Sequence, residues 1–337
     1  MIAASPARCA VTFCIGILLA IGGLSCATSP SAEKHAAPAR IYVTNQLDNT
    51  ASVIDGASHK TVATVRVGIS PAQMAVSPDQ KSVYIANTGS NTVSVLNTDN
   101  DTIARTIALP PGSKPIDVAA NPNGRYLYTA DGGSNRVSVI DTRANRVVAS
   151  VRVGTQPLSV AAAPDGKTVD AANSGSGDVS VIDARTNSVV RAIPTGRFPS
   201  GVAVTPDGGS LYVTNELSGV TVIDAGNGTV AARLREPSPF SVAMSPTGDR
   251  AYVTGLGPGT VTAIDTGTHR VSSTVSVGPH GTDPFTVRAT GEAVYVANQG
   301  ADTLSVIDQG TFRVTATIAT GNSPYGIAVV QRGPTNG

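Results

Sequence analysis

Residues 211–224 read LYVTNELSGVTVID, two short runs rich in β-branched residues on either side of a polar turn. Such a pattern predicts two paired strands. Close variants of the phrase recur along the 337-residue chain at intervals of 40 to 44 residues. The aligned copies begin at Tyr42, Tyr84, Tyr128, Asp170, Tyr212, Tyr252 and Tyr295. A period near 42 is typical of a stacked or radial array of supersecondary units, not of independent domains.

Each unit divides into four predicted strands. In the copy that holds the opening phrase they are residues 201–204, 212–215, 220–223 and 229–232, and Pro206-Asp207-Gly208 forms a turn between the first two. Turn signals recur at about 8 to 12 residues, which is the spacing of all-β proteins. We therefore predict an all-β fold, a seven-bladed β-propeller of four-stranded blades.

The first strand of each unit carries a small residue where seven strands would converge on the central axis. The alanines at this position are Ala75, Ala119, Ala161, Ala203, Ala243 and Ala328.

The two ends of the repeat region predict how the ring closes. The first recognisable strand, residues 41–43, is of the second type, whereas the last, residues 326–329, is of the first type. The C-terminal strand is therefore expected to pair into the N-terminal blade, satisfying backbone groups that would otherwise lack partners.

Composition limits the classes of function. Apolar residues make up 41% of the chain and aromatic residues 4%, with no Trp. The missing Trp argues against a WD40 propeller, whose repeat ends in Trp-Asp. Without residues 1–27, which hold one basic residue (Arg8) and no acid, 23 basic and 23 acidic residues remain. A neutral domain does not have the basic excess typical of nucleic-acid binding, so nucleic acid is not an expected partner.

The N-terminus has the pattern of an export signal. Residues 1–27 combine Arg8 with an apolar run over residues 10–21 and small residues after it. Cys26 follows a small residue and is a candidate for lipid anchoring, although ordinary cleavage nearby is an equal alternative. We assign residues 28–39 to a flexible tether, 40–331 to the propeller and a short tail to 332–337. The protein is expected in the periplasm, on the cell surface or secreted, touching membrane only through such an anchor.

Taken together, the Tyr-Val-Thr-Asn core, the Val-Ile-Asp endings and the Gly-x-x-Pro entries make the chain resemble the YVTN-type β-propeller repeat family over about residues 40 to 330. The resemblance implies an exported seven-bladed propeller of bacterial or archaeal origin. Three positions depart from the pattern: Asp170 replaces a Tyr, Asn97 replaces an Asp, and the entry at residues 234–239 lacks its Gly.

Residues that recur in every unit are interpreted as structural. The Asp that ends Val-Ile-Asp is expected to accept hydrogen bonds from backbone amides of the following turn, and the Asn after Tyr-Val-Thr is expected to form a turn. Functional residues should be those that break the repeat.

The Gly-x-x-Pro loops and the Asn-containing turns are expected on one face, around the axial channel, where ligands usually meet loops on a rigid scaffold. The non-repeating candidates for ligand binding on this face are Lys114, Gln156, Arg197, Glu216, His280, Asp283 and Asn322.

Two further patterns suggest chemistry without establishing it. His280 and Asp283 could form a general-base pair or half a metal site, or belong to an exposed polar loop. Arg288 stands where the other six copies carry Ala, either as a ligand anchor or as a guanidinium paired within the protein.

We expect a monomeric, non-enzymatic scaffold that binds a protein, peptide or glycan through the channel-mouth face, with no cofactor and no metal. A hydrolase or lyase that uses His280 and Asp283, in the manner of a lactonase, is the alternative. A third hypothesis is single-stranded DNA binding through Arg197 and Lys114.

Overall fold

A computed structural model describes residues 39–331 of the chain. The predicted signal, nearly all of the predicted tether and the predicted tail lie outside these residues, as does Cys26. The described part contains 28 strands and one short 3₁₀ turn, Gln299–Ala301. None of its helices is long and apolar enough to cross a bilayer.

The strands fall into four sets of seven by their distance from the axis. The innermost strands are β4 (Pro71–Val76), β8 (Pro115–Ala120), β12 (Pro157–Ala162), β16 (Pro199–Val204), β20 (Pro239–Met244), β24 (Pro284–Ala289) and β28 (Pro324–Val330). The second strands are β1 (Arg40–Asn45), β5 (Ser82–Asn87), β9 (Tyr126–Asp131), β13 (Thr168–Asn173), β17 (Ser210–Asn215), β21 (Arg250–Gly255) and β25 (Ala293–Asn298).

The third and outermost strands complete each blade. The third strands are β2 (Thr50–Asp55), β6 (Thr92–Asn97), β10 (Arg136–Asp141), β14 (Asp178–Asp183), β18 (Gly219–Asp224), β22 (Thr260–Asp265) and β26 (Thr303–Asp308). The outermost strands are β3 (Lys60–Arg66), β7 (Thr102–Ala108), β11 (Arg146–Arg152), β15 (Ser188–Pro194), β19 (Val230–Leu234), β23 (Arg270–Ser276) and β27 (Arg313–Ala319).

The sheet order confirms the predicted seven-bladed propeller. Six blades take four consecutive strands in antiparallel order, and the remaining blade has the order β28-β1-β2-β3. In that blade Ile41 pairs with Val329 and Val43 with Ile327. The C-terminal strand therefore closes the ring against the first strand, as the two ends of the repeat predicted.

The hydrophobic core lies between neighbouring blades, not within them. In one cluster, Tyr42 and Val53 of the first blade pack against Met74 and Ile85 of the next. Equivalent clusters fill the other interfaces, chiefly with Val, Ile and Ala from the second and third strands. Because successive side chains of a strand point to opposite faces, each blade supplies apolar residues to both of its neighbours.

The recurring Asp caps the turn that follows the third strand, which confirms the structural interpretation. Asp141 Oδ1 accepts the amide hydrogens of Arg143 and Ala144 at 2.9 Å each. These bonds stabilise the ionised carboxylate, and they lower the pKa of Asp141. Asn97 makes the equivalent bond to the Asp99 amide, at 2.8 Å, so its departure from the pattern keeps the cap.

The recurring Asn was expected to form a turn, but its buried side chain instead joins the second strand to the third strand and to the entry loop by hydrogen bonds. Asn87 Nδ2 donates to the hydroxyls of Thr92 and Ser94 on the next strand, at 3.0 and 2.9 Å. Its Oδ1 accepts the amide of Gly68 in the loop that enters the blade, at 3.2 Å. A Cβ on Gly68 would lie 2.5 Å from the Asn87 side chain, which explains the Gly of the Gly-x-x-Pro entry.

The entry loops and the turns between second and third strands share one side of the ring, as expected. The Thr88 amide donates to Ser70 O at 3.0 Å, and the Gln46 amide donates to Ser323 O at 2.9 Å. We call this side the loop face. The opposite side, the turn face, carries the turns from first to second and from third to outermost strands.

Candidate functional site

The loop face is built on one repeated backbone corner. The residue before each entry proline has a positive φ between 46° and 58° in all seven blades. A non-glycine residue rarely adopts this conformation, so the surrounding contacts must hold it. The seven residues are Ser70, Lys114, Gln156, Phe198, Ser238, Asp283 and Ser323.

A side chain from the preceding blade holds this corner at four of the seven positions. Asn91 Oδ1 accepts the Lys114 amide at 2.8 Å, and Asn135 Oδ1 accepts the Gln156 amide at 2.8 Å. The backbones of Lys114 and Gln156 thus serve the fold, while both side chains are exposed on the loop face. The sequence prediction concerned their side chains, and ligand binding by them stays a prediction.

Exposed apolar side chains distinguish the loop face from the turn face. Leu47, Ile69, Phe198 and Leu217 are 74%, 57%, 44% and 61% exposed, and all four lie on the loop face. The other exposed large hydrophobic residues of the described chain are valines on the outermost strands. Within residues 39–331, the turn face carries none.

Aromatic rings stand beside the axis at the start of three successive inner strands. The ring centroids of Phe240 and Phe285 are 3.9 Å apart, and those of Phe285 and Tyr325 are 4.6 Å apart. Burial raises the pKa of Tyr325, and the carboxylates of Asp117 and Glu216 raise it further. Burial also raises the pKa of Glu216, which is only partly exposed. Among the predicted site residues, Glu216 therefore acts on this aromatic group through the effect of its charge on Tyr325.

Arg197 lines a shallow depression between two blades. Its volume is about 500 Å³, and Phe198 and Arg233 also line it. The Arg197 side chain is exposed, and its backbone amide donates to Ser218 Oγ at 3.0 Å. The Arg233 guanidinium donates to Thr195 O and to Thr221 Oγ1. This depression therefore has one exposed and one hydrogen-bonded guanidinium.

Asp283 and Asn322 line another depression, of about 530 Å³. Asn322 Nδ2 donates to Asp48 Oδ1 at 2.8 Å, and its amide donates to Asp48 Oδ2 at 2.7 Å. Asn322 thus helps to join the last entry loop to the first blade. His280 is exposed and lines neither depression.

The structure does not pair His280 with Asp283. No hydrogen bond joins their side chains among the described residues, and a catalytic role for them stays a prediction. Within residues 39–331, no group of three or more His, Cys, Asp and Glu is arranged to hold a metal ion.

The axial channel forms a cavity of about 690 Å³, larger than either depression. Its lining runs from Leu158, Phe240 and Tyr325 near the loop face to residues of the turn face such as Ser77. The alanines of the inner strands line its wall, as the sequence predicted. Of the predicted site residues, Arg288 alone contributes to this lining.

Two polar residues of the channel escaped the sequence prediction. Gln73 and Asp117 occupy the third position of their inner strands, where the other blades carry Ser, Thr or Gly. Asp117 accepts hydrogen bonds from Ser159 Oγ at 2.8 Å and from the Val160 amide at 3.0 Å. The break in the repeat was the signal that could have identified both residues.

Comparison with known proteins agrees with this architecture. Residues 4–157 match the family model described as "YNCE-like beta-propeller", which covers somewhat less than half of the chain and is consistent with the YVTN-type resemblance. The comparison with curated proteins found no match.

Two solved structures share the fold. A structure of hydrazine synthase from Kuenenia stuttgartiensis has a TM-score of 0.73 and 24% identity, covering 86% of this chain and 99% of that one. A protein of unknown function from Desulfotomaculum acetoxidans DSM 771 has a TM-score of 0.74 and 15% identity, covering 87% and 99%. At these identities the likeness concerns the fold alone.

Proposed function

We propose that this propeller is a non-enzymatic binding module that recognises a protein or peptide through its loop face. The observation that carries the proposal is that Leu47, Ile69, Phe198 and Leu217 are all exposed on the same side of the ring. Apolar and aromatic groups surrounded by polar loops are typical of surfaces that bind other proteins.

The surroundings of Phe198 support this proposal. Phe198 occupies a positive-φ corner, with φ of 58°, and its carbonyl accepts the Glu216 amide at 3.0 Å. Leu217 follows directly, and its amide donates to Arg197 O at 3.4 Å. A rigid backbone thus presents an aromatic ring, a leucine and a guanidinium side by side. Aromatic and arginine residues contribute a large share of binding energy at protein interfaces.

Because residues 1–27 have the pattern of an export signal, we extend the proposal to a partner in the cell envelope or beyond it. A glycan is the alternative partner. It would use the same face, but it offers less apolar surface to Leu47, Ile69 and Leu217.

Selection from a random peptide library displayed on phage, with a glycan array in parallel, tests the proposal. Enriched ligands are then measured by calorimetry against two double variants whose side chains have closely matched exposed fractions. The first, Phe198→Ser with Leu217→Ser, changes side chains 44% and 61% exposed on the loop face. The second, Val271→Ser with Val190→Ser, changes side chains 47% and 59% exposed on outermost strands.

We expect the loop-face variant to weaken peptide binding at least tenfold and the outer-strand variant to leave it unchanged. Loss of binding only in the outer-strand variant would refute the proposal. Enrichment of glycans without peptides would assign the face to a different class of ligand.

A further inference from the structure

The axial channel contains a guanidinium that the fold does not require. Arg288 lies on the inner strand β24, at the position where the other six blades have Ala. Protein surrounds its side chain, yet the channel leaves it partly accessible. A guanidinium carries five N–H donors in a planar arrangement suited to carboxylates.

The protein supplies few partners to this group. The one hydrogen bond that its side chain donates within residues 39–331 is to Val287 O, at 3.2 Å. None of the ion pairs of the described chain involves Arg288, so no carboxylate oxygen lies within 4.0 Å of it. Asp117 attracts it from a greater distance. Burial lowers the pKa of Arg288, as expected for a cation without a close counter-ion.

A second polar group in the same channel also lacks a partner. Gln73 is 9% exposed, and its Nε2 donates to Thr286 Oγ1 at 2.6 Å. Its Oε1 is buried without a hydrogen-bond partner. Thr286 lies two residues before Arg288 on the same strand, so the two side chains point the same way. This buried amide oxygen is able to accept a hydrogen bond from a donor group on a ligand in the channel.

The Gln73 side chain reaches Thr286 because the intervening blade has no side chain in its path. The inner strand between them carries Gly326, where a Cβ would lie 2.4 Å from Ala72 O. The geometry brings the Gln73 amide and the Arg288 guanidinium into one wall of a cavity of about 690 Å³. Alanine side chains and the rings of Phe240 and Tyr325 line other parts of it.

We propose that the axial channel binds a small organic carboxylate, whose carboxylate group contacts Arg288 and whose apolar part lies against the alanine and aromatic lining. This site is separate from the loop face and does not depend on the function proposed there. The volume suits a ligand of drug-like size, and the lining combines polar side chains with alanine and aromatic side chains.

Calorimetric titration with benzoate and 3-phenylpropionate tests the proposal, with benzamide as a neutral probe of the same shape. The decisive variant is Arg288→Ala, which installs the residue found in the other six blades. Arg152→Ala is the matched control, since it removes an exposed guanidinium of an outermost strand that lies outside the channel. Melting temperatures are measured without ligand for all three proteins.

We expect the native protein and Arg152→Ala to bind at least one carboxylate but not benzamide, and Arg288→Ala to bind at least tenfold more weakly. The melting temperature of ligand-free Arg288→Ala should stay close to that of the native protein, because the variant removes one buried charge and buried Asp117, whose pKa is already raised, then takes up a proton. Absence of carboxylate binding to the native protein would overturn the proposal. So would equal binding by Arg288→Ala, or a fall in its melting temperature without a loss of affinity.

Discussion

At the scale of single residues, the blade that contains Asp170 lacks a contact that the recurring Tyr makes in other blades, and other side chains fill its place. In other blades the buried Tyr reaches a turn of the next blade, as Tyr212 Oη does with His269 Nδ1 at 2.8 Å. Asp170 replaces this Tyr, and the equivalent turn residue is Gly228. Arg191 occupies the vacated space, since a Cβ on Gly228 would lie 2.7 Å from its Cδ. The Arg191 side chain therefore fills the space left where Asp170 and Gly228 replace two larger residues.

This exchange makes stability depend on pH. Asp170 is 2% exposed, and burial raises its pKa from 3.8 to about 7 although Arg191 opposes the rise. The folded state then holds this proton more tightly than the unfolded state, so the contribution of Asp170 to stability is full below about pH 4 and is lost as the pH rises through about 7.

We predict that Asp170→Asn, which keeps the shape of the side chain, removes this loss. At pH 8 the variant should be more stable than the native protein by roughly 2 to 4 kcal/mol. Urea unfolding at pH 4 to 8 measures the difference, which should shrink as the pH falls toward 4. Asp131→Asn is a useful comparison, because burial raises the pKa of Asp131 to about 6 and its effect should be complete at lower pH. Parallel pH profiles for the native protein and Asp170→Asn would contradict the prediction.

At the scale of strands and loops, neighbouring blades are joined by side-chain caps at the loop face. Four blades use Asn49, Asn91, Asn135 or Asp302 to accept the amide that precedes the next entry proline, at 2.7 to 2.8 Å. The remaining three blades have Gly at the same positive-φ position, and no side-chain cap is possible there. The blades with Gly thus show what this position looks like without a side-chain cap.

We predict that Asn91→Gly lowers the free energy of unfolding by about 1 kcal/mol, because it removes the hydrogen bond while tolerating the φ of 53°. Asn91→Ala should cost roughly another 1 kcal/mol, because alanine is strained at positive φ. Asn91→Asp should cost the least, since Asp302 already performs this role. Chemical denaturation of the three variants measures the order, and equal losses for Gly and Asp would exclude the capping role.

The outermost strands show how the open edges of the blades are protected. They carry nine Lys and Arg residues and no Asp or Glu, although the whole chain has a formal charge of +1. Charged side chains on an edge strand discourage pairing with strands of another molecule. The exposed valines of these strands are therefore interspersed with charge, and we assign the outer rim a protective role.

At the scale of the whole molecule, one blade joins the two ends of the described chain. Beyond the strand pairing, the Gly326 amide donates to Thr44 Oγ1 at 2.7 Å, and the Gly321 amide donates to Asn45 Oδ1 at 3.0 Å. Both contacts span more than 270 residues of sequence. Without the last strand, β1 would have an unpaired edge. The two neighbouring blades would also lose the apolar side chains that β28 packs against them.

We predict that truncation after Asn322 abolishes cooperative unfolding, because β28 supplies the inner strand that completes the ring. Truncation after Gln331 is the control, since it retains every described strand. Differential scanning calorimetry should show one sharp transition for the control and a broad or missing transition for the shorter chain. A sharp transition at an unchanged temperature for both would rule out a stabilising role for the closure.

The sequence by itself determined the number of blades, their strands and the way the ring closes, because a seven-fold repeat with period-two alternation admits few other folds. It also identified the capping Asp residues, because they recur in the repeat, and Arg288, because it departs from the repeat. Only the tertiary structure showed that Arg288 shares a cavity with Gln73 and Asp117, and that four exposed apolar side chains lie on one face. The physical reason is that residues from different blades meet through the rotation and spacing of the blades around the axis. Alignment of the repeats locates each residue within its blade, but it does not give the distance across the channel.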